Sequence, residues 1–257
     1  IFGFDLDVFS AEPTTDKNVI LFLLIIPFIF VLVTLILCVK YVHKRAVLSL
    51  FTSRSKFDWK RFFLVFLVYG IVLTISLIYA IIAGADISWN FNASTFIPLL
   101  LVAFLILPLQ TAAEDALFRG FLFQGFAKLF KHAGVSILLT GTLFGLLHIA
   151  NPEVAKLGYG LLVYYISTGI FLGIITHMDD GMELGMGYHA INNIFAALIL
   201  TNDWQAFTTD ALLIDHSTPE FGWESILTLV ILQPLLILIF SKIYKWKNWR
   251  KKLVARM

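Results

Sequence analysis

The chain has 257 residues, 59% of them hydrophobic and only 14% charged, with a formal net charge of +2. A soluble domain carries about 25% charged residues, and apolar runs of roughly 17–25 residues, the length that crosses a bilayer core, recur along most of this chain, which excludes a soluble globular fold. The runs are apolar on all sides, without the alternation of a membrane β-barrel, so the expected fold is an all-α polytopic membrane bundle forming one integral membrane domain, residues 1–257.

In chain order, the sequence predicts about seven to eight transmembrane or membrane-embedded helices, at 19–39, 62–83, 96–112, 114–130, 135–150, 159–176, 184–200 and 225–244. Asp5, Asp7, Glu12 and Asp16 precede the first apolar run. That run is too long for a signal-peptide core and is read as a retained span. The chain begins with Ile1 rather than Met, which leaves the native N-terminus open. Cys38 is the sole cysteine, so no intrachain disulfide can form; its place at the end of the first span suits a packed thiol better than an acylation site.

The segment 40–61 holds Lys40, Lys44, Arg45, Arg54, Lys56, Lys60 and Arg61, and the tail holds Lys242, Lys245, Lys247, Arg250, Lys251, Lys252 and Arg256. Each run abuts a span, which fits the positive-inside rule and argues against nucleic acid as the partner. Asp203, Asp210, Asp215 and Glu220 gather in a late loop. The first basic loop and the tail are therefore expected inside, the C-terminus being cytoplasmic. The N-terminus, the loop 86–92 and the loop 202–222 are expected outside. Trp59, Trp89, Trp204, Trp223, Trp246 and Trp249 fall at span ends, the aromatic belt of a lipid–water interface. An even number of crossings must join the two outer loops. Five predicted segments lie between them, so 114–130, which carries Glu114, Asp115, Arg119 and Lys128, is expected to be re-entrant.

Three clusters interrupt the apolar runs, and an ionisable group at membrane depth marks function by default. In the first, Asp115 and Arg119 are spaced i,i+4 and can pair on one helix face. Glu114 is rotated away as the working carboxylate. A helix-end salt bridge anchoring the segment is the competing reading. In the second, Phe144 and His148 share a face one turn apart, and Asn151-Pro152 should end the helix soon afterwards. In the third, His189 and Asn193 are spaced i,i+4 and could act on one bound group, with Asn192 a second amide nearby; an interhelical polar contact would use the same residues. His43, His132, His177 and His216, and the pair Asp179-Asp180, read as solvated loop groups, and Glu183 as a charge well placed at a helix N-terminus. Small-residue pairs at Gly141/Gly145, Gly169/Gly173 and Gly181/Gly185 allow close helix approach.

Each cluster alone is weak. Their order on separate apolar helices closely resembles the CPBP family of intramembrane proteases, the CAAX protease and bacteriocin-processing (Abi) proteins. The resemblance covers roughly residues 96–200. It rests on Glu114-Asp115 with Arg119, on Phe144 with His148, on His189 with Asn193, and on the neighbourhood Leu117-Phe118-Arg119-Gly120. Asp115 stands where the family usually has Glu, which touches the supporting pair rather than the base. The resemblance implies an intramembrane endopeptidase acting on a membrane-associated, prenylated or leader peptide. Glu114 and His148 would activate water, and His189 and Asn193 would stabilise the oxyanion. Asp115, Arg119 and Phe144 would be supporting.

Cofactor and partner expectations are limited. No cofactor is certain. Glu114, His148 and His189 have the composition of a catalytic Zn(II) site, yet the single-helix His-Glu-xxx-xxx-His arrangement is absent and a metal-free glutamate mechanism fits the residues slightly better. The expected partners are the lipid bilayer and a peptide or protein substrate. The oligomeric state is not legible. A catalytically silent regulator or bacteriocin-immunity protein, or a small transporter, are the alternatives; the transporter lacks the internal repeats such folds show. The reading carries a geometric condition. The helices bearing His148 and His189 should run parallel, His148 lying late and His189 early, so the first must extend past Ala150 or the second start near Asp179 for the rings to share a depth.

Overall fold

A computed structural model of the chain describes residues 16–218 and 222–254. Asp5, Asp7, Glu12, Glu220 and Arg256 lie outside the described residues, as does the side chain of Trp223. The elements are α1 (Lys17–Leu37), α2 (Trp59–Ile82), β1 (Ile87–Trp89), α3 (Ala93–Leu105), α4 (Leu107–Asp115), α5 (Phe123–Phe130), α6 (Ala133–Leu146), α7 (Pro152–Leu157), α8 (Gly160–Asp179), α9 (Glu183–Leu198), β2 (Leu200–Thr201), β3 (Leu213–Asp215), α10 (Trp223–Leu227), α11 (Gln233–Ile243) and α12 (Trp249–Leu253). Four spans begin at a polar cap. The side chains of Asp16, Asp58, Asn92 and His132 accept backbone N–H groups from the first turns of α1, α2, α3 and α6. This satisfies donors that a helix cannot satisfy internally.

Among the described residues six helical stretches are long and apolar enough to cross a membrane. Their lipid-facing sides expose large apolar groups such as Phe30, Leu67, Ile82 and Leu238. One stretch corrects the sequence reading. Residues 96–112 and 114–130 are not two segments but one bent helical unit of 38 residues, Ala93–Phe130. It runs through α3, α4, a π-helical turn at Ala116–Leu122 and α5. Pro108 in the first turn of α4 has no N–H to give, and the helix breaks at Ile106. Segment 114–130 is therefore continuous with 96–112 in one bent unit and not a separate helix. Four end-to-end passes of the bundle (this unit, α6, α8 and the shorter α9, which is not among the six) then join the loop after α2 to the loop after α9.

The grouping of loop ends follows from contacts. On one face, the segment after α1 reaches the α8–α9 turn, where Thr52 bridges Gly181. Arg54 pairs with Asp179 and Glu183, each at 2.9 Å, and Arg61 pairs with Asp179 at 2.6 Å. Trp246 Nε1 also donates to Asp179. Lys252 of α12 pairs with Asp180, and His177 bonds the Lys252 carbonyl. Asp179 and Glu183 are thus buried partners rather than the solvated pair member and free helix-end charge expected, because cations from distant segments converge on them. Of the histidines taken for solvated groups, His43 and His216 are exposed; His132 caps α6, and His177 is half-buried. On the opposite face β1, β3 and β2 form a three-stranded sheet, β1 antiparallel and β2 parallel to β3, which ties the loop after α2 to the loop after α9.

α9 is the axis of the bundle. It packs on α2, α3, α4 and α8, and Leu184, Tyr188, Ile191, Ile194 and Leu198 feed the two apolar clusters on its flanks. Glycine lets backbones meet around it. Gly187 faces the backbone of Phe62 on α2, and Gly141 and Gly145 of α6 face Gly169, Ile170 and Ile166 of α8.

A methyl at Gly141 would sit 2.7 Å from the Ile170 nitrogen, and one at Gly169 would sit 2.6 Å from the Gly141 oxygen. Gly141→Ala and Gly169→Ala are expected to destabilise by about 1–3 kcal/mol, the cost of overpacking, seen as a lower unfolding temperature in detergent. Gly125→Ala, with no atom within 4 Å of the new methyl, is expected to keep or slightly raise it.

Candidate active site

Glu114 and Asp115 close α4, just before the π-helical turn, a helix irregularity found often at functional sites. They diverge as the helical rotation dictates. Glu114 Oε1 accepts from Gln110 Nε2 at 2.7 Å, while Oε2 lies 3.4 Å from His189 Nε2. Asp115 Oδ1 accepts from Arg119 Nη1 at 3.1 Å, and Oδ2 lies 3.4 Å from His189 Nδ1. Asp115 and Arg119 are both buried. The guanidinium carbon of Arg119 lies 4.1 Å from the centroid of the Phe144 ring, whose negative face suits a cation. The shorter Asp115 therefore keeps its reach to Arg119 and also holds His189.

Phe144 lies near the end of α6, where the helix tightens into a 3₁₀ turn, Leu147–Ala150. His148 folds back so that Nδ1 is 2.9 Å from the Phe144 carbonyl oxygen. A carbonyl only accepts, so Nδ1 carries the hydrogen, and in the neutral ring Nε2 keeps its lone pair. Tyr165 of α8 stacks on this imidazole, centroids 4.1 Å apart. Phe144 stands between the two motif histidines, its centroid 4.9 Å from His148 and 6.0 Å from His189.

His189 is buried on α9, one turn before Asn193. A neutral imidazole has one N–H for the two carboxylates that face it, and a protonated one has an N–H for each. Asn193 Nδ2 donates to Gln110 Oε1 at 3.1 Å, so Gln110 links Asn193 to Glu114. Asn192 donates to Asn193 and accepts from Tyr69 of α2.

The depth condition is met by neither helix extension. The α6 stretch stops at Ala150, and α9 starts at Glu183. The α9 start is instead sunk under the segment after α1: Glu183 is fully buried, and Met182 N–H donates to the Phe51 carbonyl. The ring of Phe144 contacts both imidazoles, so His148 and His189 share one site.

Glu114, Phe144, His148, His189 and Asn193 all line one cavity of about 580 Å³, and Asp115 and Arg119 stand behind its wall. Its walls are otherwise largely apolar, from α1 (Leu24, Phe28, Val31) and the π turn (Leu117, Phe118). Among the described residues no three His, Cys, Asp or Glu side chains converge into a set able to hold a metal ion. Nδ1 of His148 is bound to the Phe144 carbonyl and Nδ1 of His189 faces Asp115, so in each ring Nε2 is the nitrogen left for chemistry.

Four polar residues in or beside the cavity escaped the sequence reading. Gln110 could have been found as an amide one turn before Glu114. Tyr69 and Tyr165 give no sequence signal, because their partners lie on other helices. Glu153, at the start of α7, is buried and accepts from Asn151 Nδ2, the Tyr165 hydroxyl and Ala206 N–H at 2.9, 2.7 and 2.9 Å.

A helical membrane bundle that gathers two carboxylates, two imidazoles and an amide in and beside one cavity holds the groups an intramembrane hydrolase needs. Comparison with known proteins narrows this class. Residues 93–195 match the family model described as type II CAAX prenyl endopeptidase Rce1-like. The chain is 31% identical over 252 residues, 97% of its length and 81% of the relative, to the uncharacterized protein YyaK of Bacillus subtilis (strain 168). No solved structure matches. The chain belongs to the Rce1-like, CPBP family of CAAX-type intramembrane proteases.

Removing one member of a buried ion pair costs roughly 3–5 kcal/mol. Arg119→Ala is therefore expected to lower resistance to denaturation by about that amount. Arg119→Lys should restore only part of it, since lysine lacks the planar fork. Unfolding in mixed detergent–denaturant, compared across the three proteins, checks both.

Proposed function

We propose that the protein is a metal-free glutamate-type endopeptidase that hydrolyses a peptide bond of a membrane-associated substrate. The observation that carries this reading is the convergence of Glu114, His148, His189 and Asn193, from three separate helical elements, on one cavity. Glu114 accepts a proton from water while His148 Nε2, whose lone pair is set by the Nδ1 bond to Phe144, orients the second hydrogen. The water oxygen bonds to the scissile carbonyl carbon. Negative charge moves to the carbonyl oxygen, where His189 Nε2–H, freed from Glu114 once that carboxylate is protonated, and the N–H of Asn193 not given to Gln110 donate. Preorganised donors of this kind are worth several kcal/mol in a water-poor site. The C–N bond then breaks, and the proton held by Glu114 passes to the leaving nitrogen.

Asp115 keeps His189 in place, and Arg119 and Phe144 keep Asp115 in place. The protein is a multi-pass membrane protein. In the proposed orientation the face holding the first basic loop and the tail is cytoplasmic, the C-terminus included, a reading supported by the distribution of Lys and Arg.

In liposomes, with a membrane-anchored peptide reporter, Glu114→Ala and His148→Ala are expected to lower cleavage by at least about 10²-fold, the usual share of a general base. His189→Ala and Asn193→Ala should each lower it by about 10²–10³-fold, as for an oxyanion donor. Chelator is expected to leave the wild-type rate unchanged. Full activity in Glu114→Ala would refute the mechanism, and loss of activity with chelator would refute its metal-free form.

A further inference from the structure

We infer that the cavity is reached from the extracytoplasmic side, and that its substrate is an outward-facing juxtamembrane segment of a membrane-anchored protein. This inference rests on the endopeptidase reading and adds the side and the class of substrate.

The first observation is where the cavity lies along the bundle. α6 starts on the basic face, where Gly134 adjoins the Leu253 carbonyl. At about 1.5 Å per residue, His148 stands roughly 22 Å along α6 from Ala133 and His189 about 9 Å along α9 from Glu183, so the polar site is central and the direction of its mouth follows from the rest of the lining. Beyond it the cavity is walled by Asn151, Glu153 of α7, Gln205 and Phe207, residues on the face that carries the small sheet. Residues 43–58 and 179–183 of the basic face do not line it.

The second observation is that the basic end is plugged. Beneath α9 the Arg54, Arg61, Asp179, Glu183 and Trp246 cluster and the Thr52–Gly181 bridge fill the space between the first loop and the α8–α9 turn. Opening this end would strip partners from buried charges, which is costly.

The third is charge. Of the 19 Lys and Arg residues, Lys17 and Lys156 are at the sheet-bearing end and Arg119 is interior. The other described ones lie on or next to the basic face. Such an asymmetry puts the basic face in the cytoplasm and the cavity mouth outside. An anchored substrate suits the wall, because Leu24 and Phe28 of α1 and the exposed Leu147 border the cavity where it meets lipid.

Two measurements on intact cells test this. In a Cys38→Ser background, single-cysteine variants Ala196→Cys (cavity wall), Gln205→Cys (mouth) and Lys56→Cys (basic loop) are treated with a small, charged, membrane-impermeant thiol reagent. Ala196→Cys and Gln205→Cys are expected to react without permeabilisation, and Lys56→Cys only after it. Reaction of Lys56→Cys in intact cells, or of Ala196→Cys only after permeabilisation, would overturn the inference whatever the enzyme's activity.

The second measurement uses two single-span reporters that carry the same peptide just outside or just inside the membrane. Glu114-dependent cleavage is expected for the outer reporter alone. Glu114-dependent cleavage of the inner reporter alone would overturn the assigned side while leaving the protease reading intact. Cleavage equal in wild type and Glu114→Ala would instead strike the protease reading.

Discussion

One imidazole between two carboxylates organises this molecule. His189 on α9 presents one ring nitrogen to Glu114 and the other to Asp115, neighbours on α4. In hydrocarbon such groups are tolerated only when the protein partners them. Helix rotation sends the two acids apart, and the single ring spans the divergence. That requirement fixes α4 beside α9, and Gln110, reaching from Glu114 to Asn193, adds a second tie between the same two helices. The remaining valence of Asp115 goes to Arg119, and the flat side of Arg119 goes to Phe144. The polar groups thus form a chain in which each member's unsatisfied side is the next member's reason for being there.

His148 enters from a parallel helix, and sequence distance alone would leave it too far along. The ring of Phe144, in contact with both imidazoles, closes the gap. α9 rises from a buried acid held by Arg54, whereas α6 starts at the level of the C-terminal α12. Both starts thus belong to one face, α12 itself pairing with Asp180 of the α8–α9 turn.

Much of the fold was legible because it is dictated locally. Lipid demands long apolar runs, caps demand Asp, Asn or another acceptor, and both are written in the residues. The three clusters were legible because ionisable groups stand out against leucine and phenylalanine. What stayed hidden depends on partners distant in sequence. Asp179 reads as a turn residue until Arg54 and Arg61 arrive from more than a hundred residues away. Glu153 reads as a helix-start charge until Tyr165 and the Ala206 amide close around it. Segment 114–130 looked separate because its charges break the hydropathy run, although its backbone continues through a π turn. The pairing of Asn193 with Gln110 needed the packing of α4 on α9, which no single-helix pattern contains.

The backbone contact between α6 and α8 has a mechanical consequence. Where Gly141 meets Gly169 no side chain lies between the helices, so there is no soft layer to shear, and the two behave as one stiff plank carrying His148 and its stacked Tyr165. α1, by contrast, leans on α3 and α4 through ordinary leucine, isoleucine and phenylalanine contacts. The cavity thus has one wall whose helices meet backbone to backbone, carrying His148 and Tyr165, and one wall of interleaved side chains from α1.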